Sequence, residues 1–346
     1  MADQKTDMKA FAIGVDLGGT NLRIAAVDTA GQILEKITTG TEVARGCHRV
    51  IDEMCAAISN LAKKHSAGGK LLGIGVGVPG IIDLNTGMVR ESPNLPGWQD
   101  YPVRGEIERR LGATVILEND ANGAALGEKW LGAAAGVDDM CMLTLGTGVG
   151  GGLVLHGRIW HGMLGMAGEL GHINVEAEGA PCGCGSRGCL EQYASALGVK
   201  RMAAEAVSAG KSAVLAQAMN DDQQFNAKTV YELAMRGDIG AQQVFQRFGT
   251  ALGIALAGLI NVFNLPMYVI GGGVSSAWAA FAPTMLETVR GYSYIYRVTA
   301  ADGAASIAGN PASRVGHTVI TRALLGSDAG LIGAARLPMM EEASSG

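Results

Sequence analysis

The stretch FAIGVDLGGTNLRIAAVDTAGQILEKITT, residues 11–39, has the pattern of three short strands joined by two tight turns. The first turn contains the glycines of DLGGT, and the second lies at Ala30–Gly31. Residues 140–162, MCMLTLGTGVGGGLVLHGRIWHG, repeat the arrangement of apolar run, glycine turn, apolar run and turn. The repetition predicts an internal duplication of the fold.

Helical and strand patterns alternate along the rest of the chain. A helix is predicted from about Arg49 to Lys64, where apolar residues recur on one face, and another is predicted from Ala121. LLGIGVGVPG (71–80) and ATVILEND (113–120) resemble buried strands, and helical patterns fill roughly Ala194 to Leu265. Strands alternating with helices predict an α/β fold in each half. Ligands of such sheets bind beyond the carboxyl ends of the strands, so a cleft between the halves is the expected binding site.

Composition excludes several classes of protein. The 346 residues favour two domains, and 48% hydrophobic with 17% charged residues argues against disorder. The net charge of −5 offers no basic surface to a nucleic acid. The first residues, MADQKTDMKA, lack the apolar segment of a signal peptide, and the apolar run at 251–263 is short for a membrane span. A cytoplasmic enzyme without nucleic-acid or membrane partners is therefore expected, with residues 251–263 in a buried helix.

The glycine-rich loops limit the kinds of nucleotide site that are possible. GxxxxGK[ST] does not occur, which excludes a P-loop. GxGxxG occurs at 75–80 and 146–151, but a strand-like run follows each, whereas a dinucleotide fingerprint opens a helix. Hydride transfer is therefore not expected. Glycine turns between strands fit phosphate better, because successive backbone N–H groups form an anion-binding nest, and Asp16 beside the first turn would hold Mg²⁺ or its waters.

One further stretch, GHINVEAEGAPCGCGSRGCLE (171–191), concentrates metal-binding side chains. His172, Cys182, Cys184 and Cys189 form a set of one imidazole and three thiols, which is typical of a tetrahedral structural Zn²⁺ site. A disulfide between cysteines two residues apart would be strained, while free thiols on a glycine loop remain an alternative. Four protein ligands leave no open position, so the metal would fold the loop without activating water. Three other cysteines fall in apolar patterns and are predicted to be buried thiols: Cys47, Cys55 and Cys141.

VDLGGTN, LGTGVGGG and VIGGGVS together resemble the phosphate and adenosine motifs of the sugar kinase and actin superfamily. ENDANGAALGE, GELGH and CGCGSRGCLE narrow the resemblance to the ROK family of repressors, open reading frames and kinases, over about residues 11–336. The resemblance implies a duplicated actin-like (ribonuclease H-like) α/β ATPase fold with an interdomain active-site cleft. The implied domains are residues 1–120 plus 325–346, with a C-terminal helix that returns to the first domain, and residues 121–324 with the zinc loop.

Members of this family are sugar kinases or sugar-responsive repressors. Only about ten residues precede the DLGGT strand, which is too few for a helix-turn-helix, so the kinase is expected. Glucokinase is the first expectation, with ATP, Mg²⁺ and a structural Zn²⁺ as cofactors and a homodimer or homotetramer as the assembly. N-acetylmannosamine kinase or another hexose kinase stays open, as does polyphosphate as donor.

The resemblance also implies roles for individual residues. Asp120 would be the general base that accepts a proton from the sugar hydroxyl, although a helix N-cap is an alternative from the residues alone. The implied sugar-binding residues are Pro79, Gly80, Asn94, Asn119, Asp120, Glu169, His172 and Glu191. The implied phosphate- and nucleotide-binding residues are Asp16, Gly18, Gly19, Thr20, Asn21, Gly146, Thr147, Gly148, Gly271, Gly272 and Gly273.

Two further points concern individual segments. Asn94 lies in SPNLPG, where a plain turn residue is an equal alternative to a pocket residue. His172 would bind Zn²⁺ through one ring nitrogen and present the other to the sugar. Residues 292–316 look longer than the corresponding family segment, and an edge strand, a dimer contact and a mobile loop all remain open.

Overall fold

A computed structural model describes residues 9–221, 225–300 and 316–345 of the chain. The strands are β1 (Lys9–Leu17), β2 (Asn21–Asp28), β3 (Ile33–Gly40), β4 (Gly69–Val78), β5 (Ile81–Asp83), β6 (Met88–Glu91), β7 (Val115–Asn119), β8 (Met140–Leu145), β9 (Val149–Leu155), β10 (Arg158–Ile159), β11 (Met267–Gly271) and β12 (Val319–Arg322). The helices are α1 (Cys47–Ser66), α2 (Val103–Leu111), α3 (Asp120–Leu131), α4 (Glu191–Ala194), α5 (Ala196–Ser208), α6 (Ala213–Asp221), α7 (Ala227–Met235), α8 (Ile239–Phe263), α9 (Trp278–Tyr292), α10 (Tyr296–Thr299) and α11 (Ala329–Ser345).

Two five-stranded sheets have the same strand order. The first is β3-β2-β1-β4-β7, and the second is β10-β9-β8-β11-β12. In the first sheet β1, β2 and β3 form an antiparallel meander, while β4 and β7 run parallel to β1. In the second sheet β11 runs parallel to both β8 and β12. The duplication and the α/β class predicted from the two glycine hairpins are confirmed.

The chain divides into two compact units. Unit 1 comprises Met1–Asp138, Gly152–Gly168 and Ser327–Gly346, and unit 2 comprises Asp139–Gly151 and Glu169–Gly326. Helix α3 belongs to unit 1 because it packs along α11, and α11 also packs on β1 and β4. The resemblance implied a boundary at residue 120 and a C-terminal helix that returns to the first domain. The units place α3 and residues 152–168 with β1, β4 and α11.

Both faces of the first sheet are covered, which the alternation of side chains along β1 makes possible. Phe11, Ile13 and Val15 face the large cluster that includes the apolar side of α1. Ala12 faces the other side, with Leu331 of α11. Small side chains on this second face let α11 lie close to the sheet. Unit 1 therefore has a hydrophobic core on each side of β1 and β4.

Helix α8 forms the centre of unit 2. It packs along α9 and against α5 and α7, and the rings of Phe248 and Phe281 lie 4.8 Å apart at the α8–α9 contact. By length and composition α8 could cross a membrane, but 67% of its most apolar window is buried within the protein. The helix predicted at residues 251–263 is confirmed as the second half of α8, but its burial is confirmed only in part, because Val262 and Phe263 at its end are 75% and 38% exposed. Of the long segment 292–316, residues 301–315 lie outside the described residues, so its predicted roles are untested.

Candidate functional site

Three parallel strands of unit 1 end side by side and bring several predicted site residues together. Asp16 near the end of β1 pairs with Gly77 of β4, and Val78 of β4 pairs with Asn119 at the end of β7. The DLGGT turn, Pro79–Gly80 and Asn119–Asp120 therefore leave the same edge of the sheet. This is the edge at which α/β sheets bind ligands.

The first glycine turn is held by its own backbone and by Thr41. The N–H of Gly18 donates to the carbonyl of Asn21 at 2.9 Å, which closes the turn between β1 and β2. The hydroxyl of Thr41 donates to the carbonyl of Gly18 at 2.5 Å, and its N–H donates to Thr20 at 3.0 Å. The carbonyl of Asn94 lies 2.5 Å from the position that a Cβ on Gly19 would occupy. A close backbone approach thus places Asn94 against the turn.

Asp16 faces Arg23 across the hairpin. The two residues are directly paired between β1 and β2, and Nη1 of Arg23 lies 3.0 Å from Oδ2 of Asp16. Burial raises the pKa of the Asp16 carboxyl, while the adjacent guanidinium lowers it. Arg23 stood outside the predicted site, although the hairpin register about the glycine turn places it opposite Asp16. We interpret Arg23 as the residue that orients this carboxylate.

Asn119 caps helix α3, and Asp120 is the first residue of the helix. Oδ1 of Asn119 accepts the N–H groups of Ala121 at 2.9 Å and Asn122 at 3.2 Å. Its Nδ2 donates to the carbonyl of Gly80 at 3.2 Å, so the second N–H of this amide has no acceptor among the described residues. Oδ1 of Asp120 accepts the N–H of Ala121 at 2.8 Å. The capping role considered for Asp120 thus belongs mainly to Asn119.

In unit 2 the two remaining glycine loops also leave adjacent strand ends. Gly271 of β11 pairs with Thr144 of β8, so residues 146–148 and 271–273 follow neighbouring parallel strands. Gly272 has a φ of +82°, and a Cβ there would lie 2.4 Å from the carbonyl oxygen of Leu145. Only glycine fits this position without strain. The geometry brings the predicted second phosphate loop and the predicted adenosine loop together.

A cavity of about 330 Å³ opens beside these loops in unit 2. Gly146, Thr147 and Gly273 line one part of it, and α7 contributes Lys228 and Tyr231 to another. The volume is at the lower end of the range for small-molecule sites. Lys228 and Tyr231 were absent from the predicted site, because no motif marks an ordinary helix as a pocket wall.

Glu191, a predicted sugar ligand, forms a hydrogen bond with the residue that follows the predicted second phosphate loop. It opens helix α4, and Oε2 of its carboxylate accepts the backbone N–H of Val149 at 2.9 Å. Glu191 is thereby bonded to the residue that follows the second glycine turn. Glu169 and His172 are exposed and flank a single turn of 3₁₀ helix, where the N–H of His172 donates to the carbonyl of Glu169 at 3.1 Å.

The four predicted metal ligands form one cluster. The ligand atoms of His172, Cys182, Cys184 and Cys189 all lie within 4.8 Å of one another. Nδ1 of His172 and Sγ of Cys182 are 3.7 Å apart, and the sulfurs of Cys184 and Cys189 are also 3.7 Å apart. Adjacent ligands of a tetrahedral site with Zn–S bonds of about 2.3 Å stand about 3.8 Å apart, so the donor set fits Zn²⁺ in type and spacing. The ring atom that faces the thiols is Nδ1, which leaves Nε2 for another partner.

Tyr193 forms a hydrogen bond with the cysteine loop and helps to hold it in place. Its hydroxyl accepts the N–H of Ala180 at 2.8 Å, and the guanidinium groups of Arg201 and Arg247 lie over its ring at 5.4 and 5.0 Å. Gln192 donates to the sulfur of Cys182 at 3.6 Å. The residues next to Glu191 thus brace the loop that would hold the metal. Their contacts span distant parts of the chain, and no local pattern predicts them.

Comparison with known proteins identifies the family. The ROK family profile matches residues 12–340, which is nearly the whole described chain.

The chain belongs to the ROK family.

It is 40% identical to the glucokinase of Halalkalibacterium halodurans over 335 residues, which cover 96% of this chain and 96% of that protein. It is 38% identical to the glucokinase of Thermotoga maritima, with 95% and 97% coverage. The solved ROK family glucokinase of Streptomyces griseus, in complex with glucose and AMPPNP, matches with a TM-score of 0.75 and 33% identity, over 95% of this chain and 99% of that one. The predicted family membership and actin-like α/β class are confirmed.

Proposed function

We propose that this ROK protein is an ATP-dependent glucokinase, which transfers the γ-phosphoryl group of ATP to the 6-hydroxyl of glucose. The observation that carries the proposal is the shared edge of β1, β4 and β7, where the first phosphate loop follows β1 and Asp120 follows β7, with β4 between these two strands. The two glucokinases that match over nearly their whole length support the sugar-kinase class. Phosphoryl transfer depends mainly on positioning and on stabilising charge, and this edge offers both.

Asp120 acts as the general base in this proposal. Its carboxylate accepts the proton of the attacking hydroxyl and aligns the oxygen with the γ-phosphorus. The hydrogen bond from Ala121 to Oδ1 restricts the rotation of the side chain at the start of α3.

The proposed sugar ligands are amide, carboxylate and imidazole groups. Asn119 offers an N–H and is held by Gly80, while Glu169, Glu191 and Nε2 of His172 offer acceptors or donors for further hydroxyls. Each hydroxyl of a hexose both donates and accepts, so such a set rejects an analogue that lacks one. Pro79 and Asn94 complete the proposed sugar-binding set.

The nucleotide side uses the glycine turns. The backbone N–H groups of Gly19, Thr20, Thr147 and Gly148 would hold phosphate oxygens, and the cavity beside Gly273 would hold the adenosine. The N–H groups of Gly18 and Gly146 close the two turns by donating to carbonyls within them. Asp16 would hold Mg²⁺ or its waters, since Arg23 donates to Oδ2 and leaves Oδ1 of the same carboxylate to face a ligand. Bound Mg²⁺ supplies charge neutralisation at the phosphates.

The Cys₃His cluster would hold a structural Zn²⁺. With four protein ligands the metal has no open position, so we assign it the folding of residues 172–191. Metal ligation at Nδ1 would fix the tautomer of His172 and direct Nε2–H toward the sugar. A homodimer or homotetramer in the cytoplasm stays a prediction from the sequence.

Two assays on the zinc-loaded protein test the proposed function: coupled ADP release with ATP as the donor, and direct detection of the sugar phosphate with polyphosphate, which releases no ADP. We expect turnover with glucose to exceed that with mannose, fructose, N-acetylglucosamine and N-acetylmannosamine. A preference for N-acetylmannosamine would replace glucokinase by a hexosamine kinase, and a preference for polyphosphate over ATP would change the donor. Absence of turnover with all five sugars and both donors would overturn the kinase.

A further inference from the structure

Glu118 is a buried carboxylate directly before the proposed sugar ligand and base. It ends the buried part of β7 and is 2% exposed. Its Oε1 accepts the N–H of Asn119 at 2.9 Å and Nδ2 of Asn122 at 3.0 Å. Both donors belong to the turn that carries Asp120, so Glu118 holds this turn from inside unit 1.

His161 contacts this carboxylate. It lies in the segment after β10, also in unit 1, and its Nε2 is 2.6 Å from Oε2 of Glu118. Among the described residues no other cation lies within ion-pair distance of Glu118. A buried carboxylate without a charged partner is costly, because it loses its hydration. The negative charge of Glu118 in turn raises the pKa of His161.

The side chain of Asn122 is oriented by its hydrogen bond to Glu118. This side chain is 1% exposed, and Nδ2 donates to Glu118 while Oδ1 is buried without a partner among the described residues. An unpaired buried acceptor costs free energy, because it has lost its hydrogen bonds to water. The amide therefore takes the orientation that serves Glu118 at the expense of its own oxygen.

We propose that His161 is a positioning residue for the reaction: through Glu118 it fixes the turn at Asn119 and thereby the direction of the Asp120 carboxylate. The inference rests on the proposed function, since it assigns Asp120 the role of base. Without His161 the buried carboxylate of Glu118 loses the partner of its Oε2, so its side chain is less firmly held and the two donors on its Oε1 are held less firmly with it. A displacement of about 1 Å at a reacting group can cost about 100-fold in rate.

A matched pair of variants separates positioning from general stability. His161→Ala removes the charged partner, and His161→Gln keeps an N–H donor without the charge. His65→Ala is the control, because His65 also contacts a carboxylate of the same unit, Glu35, at 3.0 Å, but Glu35 is partly exposed, keeps Lys64 as a second partner and lies on β3, far from β7 in the sheet order. All variants are compared at a temperature where circular dichroism shows each one folded.

We expect His161→Ala to lower kcat by about tenfold or more, with KM for ATP changed by less than about twofold. His161→Gln should recover a large part of kcat, and His65→Ala should keep the kcat of the wild type. A His161→Ala enzyme with wild-type kcat would overturn the inference while leaving the kinase intact. Equal losses of kcat in His161→Ala and His65→Ala would also overturn it, because they would reflect stability alone.

Hydrogen exchange decides the inference independently of any activity. In His161→Ala the amides of Asn119, Ala121 and Asn122 should exchange faster than in the wild type, and in His65→Ala they should not. Unchanged exchange at these amides would refute the positioning role. If the wild type phosphorylates no sugar, the proposed function fails, and the exchange data still test the link between His161 and the turn.

Discussion

The carboxylate of Glu191 accepts a hydrogen bond from the backbone N–H of Val149 at 2.9 Å, directly after the second glycine turn. A proposed sugar ligand is thus tied to a proposed phosphate loop within unit 2. Removal of the carboxylate should therefore weaken the binding of both glucose and ATP. A hydrogen bond to a charged group contributes about 1.5–3 kcal/mol, which corresponds to a change in binding of about 10- to 100-fold.

Glu191→Ala should raise KM for glucose and KM for ATP, each by about tenfold or more. Glu191→Gln retains an oxygen that can accept from Val149, so it should raise mainly KM for glucose. Steady-state kinetics with each substrate varied in turn measures both constants. An alanine variant with an unchanged KM for ATP would show that the bond to Val149 has no part in nucleotide binding.

Asp120→Asn should lower kcat by at least about 100-fold, since the amide cannot accept the proton. Glucose binding should persist, because the amide can still make hydrogen bonds to the sugar, and calorimetry can measure it. Asp138→Asn is the control, as Asp138 is an exposed carboxylate of unit 1 that bonds Lys129. Near-wild-type turnover of Asp120→Asn would refute its role as base.

Cys184→Ser should lower both the zinc content and the affinity for glucose. The serine hydroxyl is a poor Zn²⁺ ligand, and a loosened loop would no longer orient His172. Zinc is measured by mass spectrometry of the purified protein and glucose by calorimetry. Cys47→Ser, outside the cluster, should change neither quantity. A Cys184 variant that lacks zinc yet binds glucose normally would separate the metal from the sugar site.

Gly272→Ala should destabilise the protein by about 1–3 kcal/mol, because alanine at a φ of +82° is strained and its Cβ would meet Leu145. The displaced loop should also raise KM for ATP. Gly258→Ala is the matched control, since no atom lies within 4 Å of a Cβ added there on α8, and it should be neutral or stabilising. Urea unfolding of both variants measures the difference. Equal stability of Gly272→Ala and wild type would contradict the close contact.

Local patterns predicted the elements that carry the site. The helix at α1 extends two residues beyond its predicted range at each end, and the glycine turns fall between strands as expected. The four metal ligands could be named because three cysteines and a histidine within eighteen residues are the donor set of a structural zinc site. The pairing of Arg23 with Asp16 could have been predicted, since a hairpin closed around Gly18–Asn21 has a definite register.

Other relationships depend on residues far apart in the chain. Glu118 and His161 are separated by 43 positions and lie in different segments of unit 1. The walls that α7 contributes to the cavity, and the two arginines over Tyr193, are likewise brought in by helix packing. The placement of α3 with α11 in one unit also follows from packing between helices that lie far apart in the chain.

The sequence by itself determined the duplicated α/β fold, the glycine turns, the Cys₃His set and the family of this protein, because each is encoded in a short run of residues whose backbone or ligand chemistry allows few alternatives. The tertiary structure alone decided which groups hold those runs in place. Asn119 became the helix cap, Arg23 the partner of Asp16, and His161 the partner of Glu118. The reason is physical: a buried charge is stable only where the folded chain places an opposite charge or hydrogen-bond donors beside it.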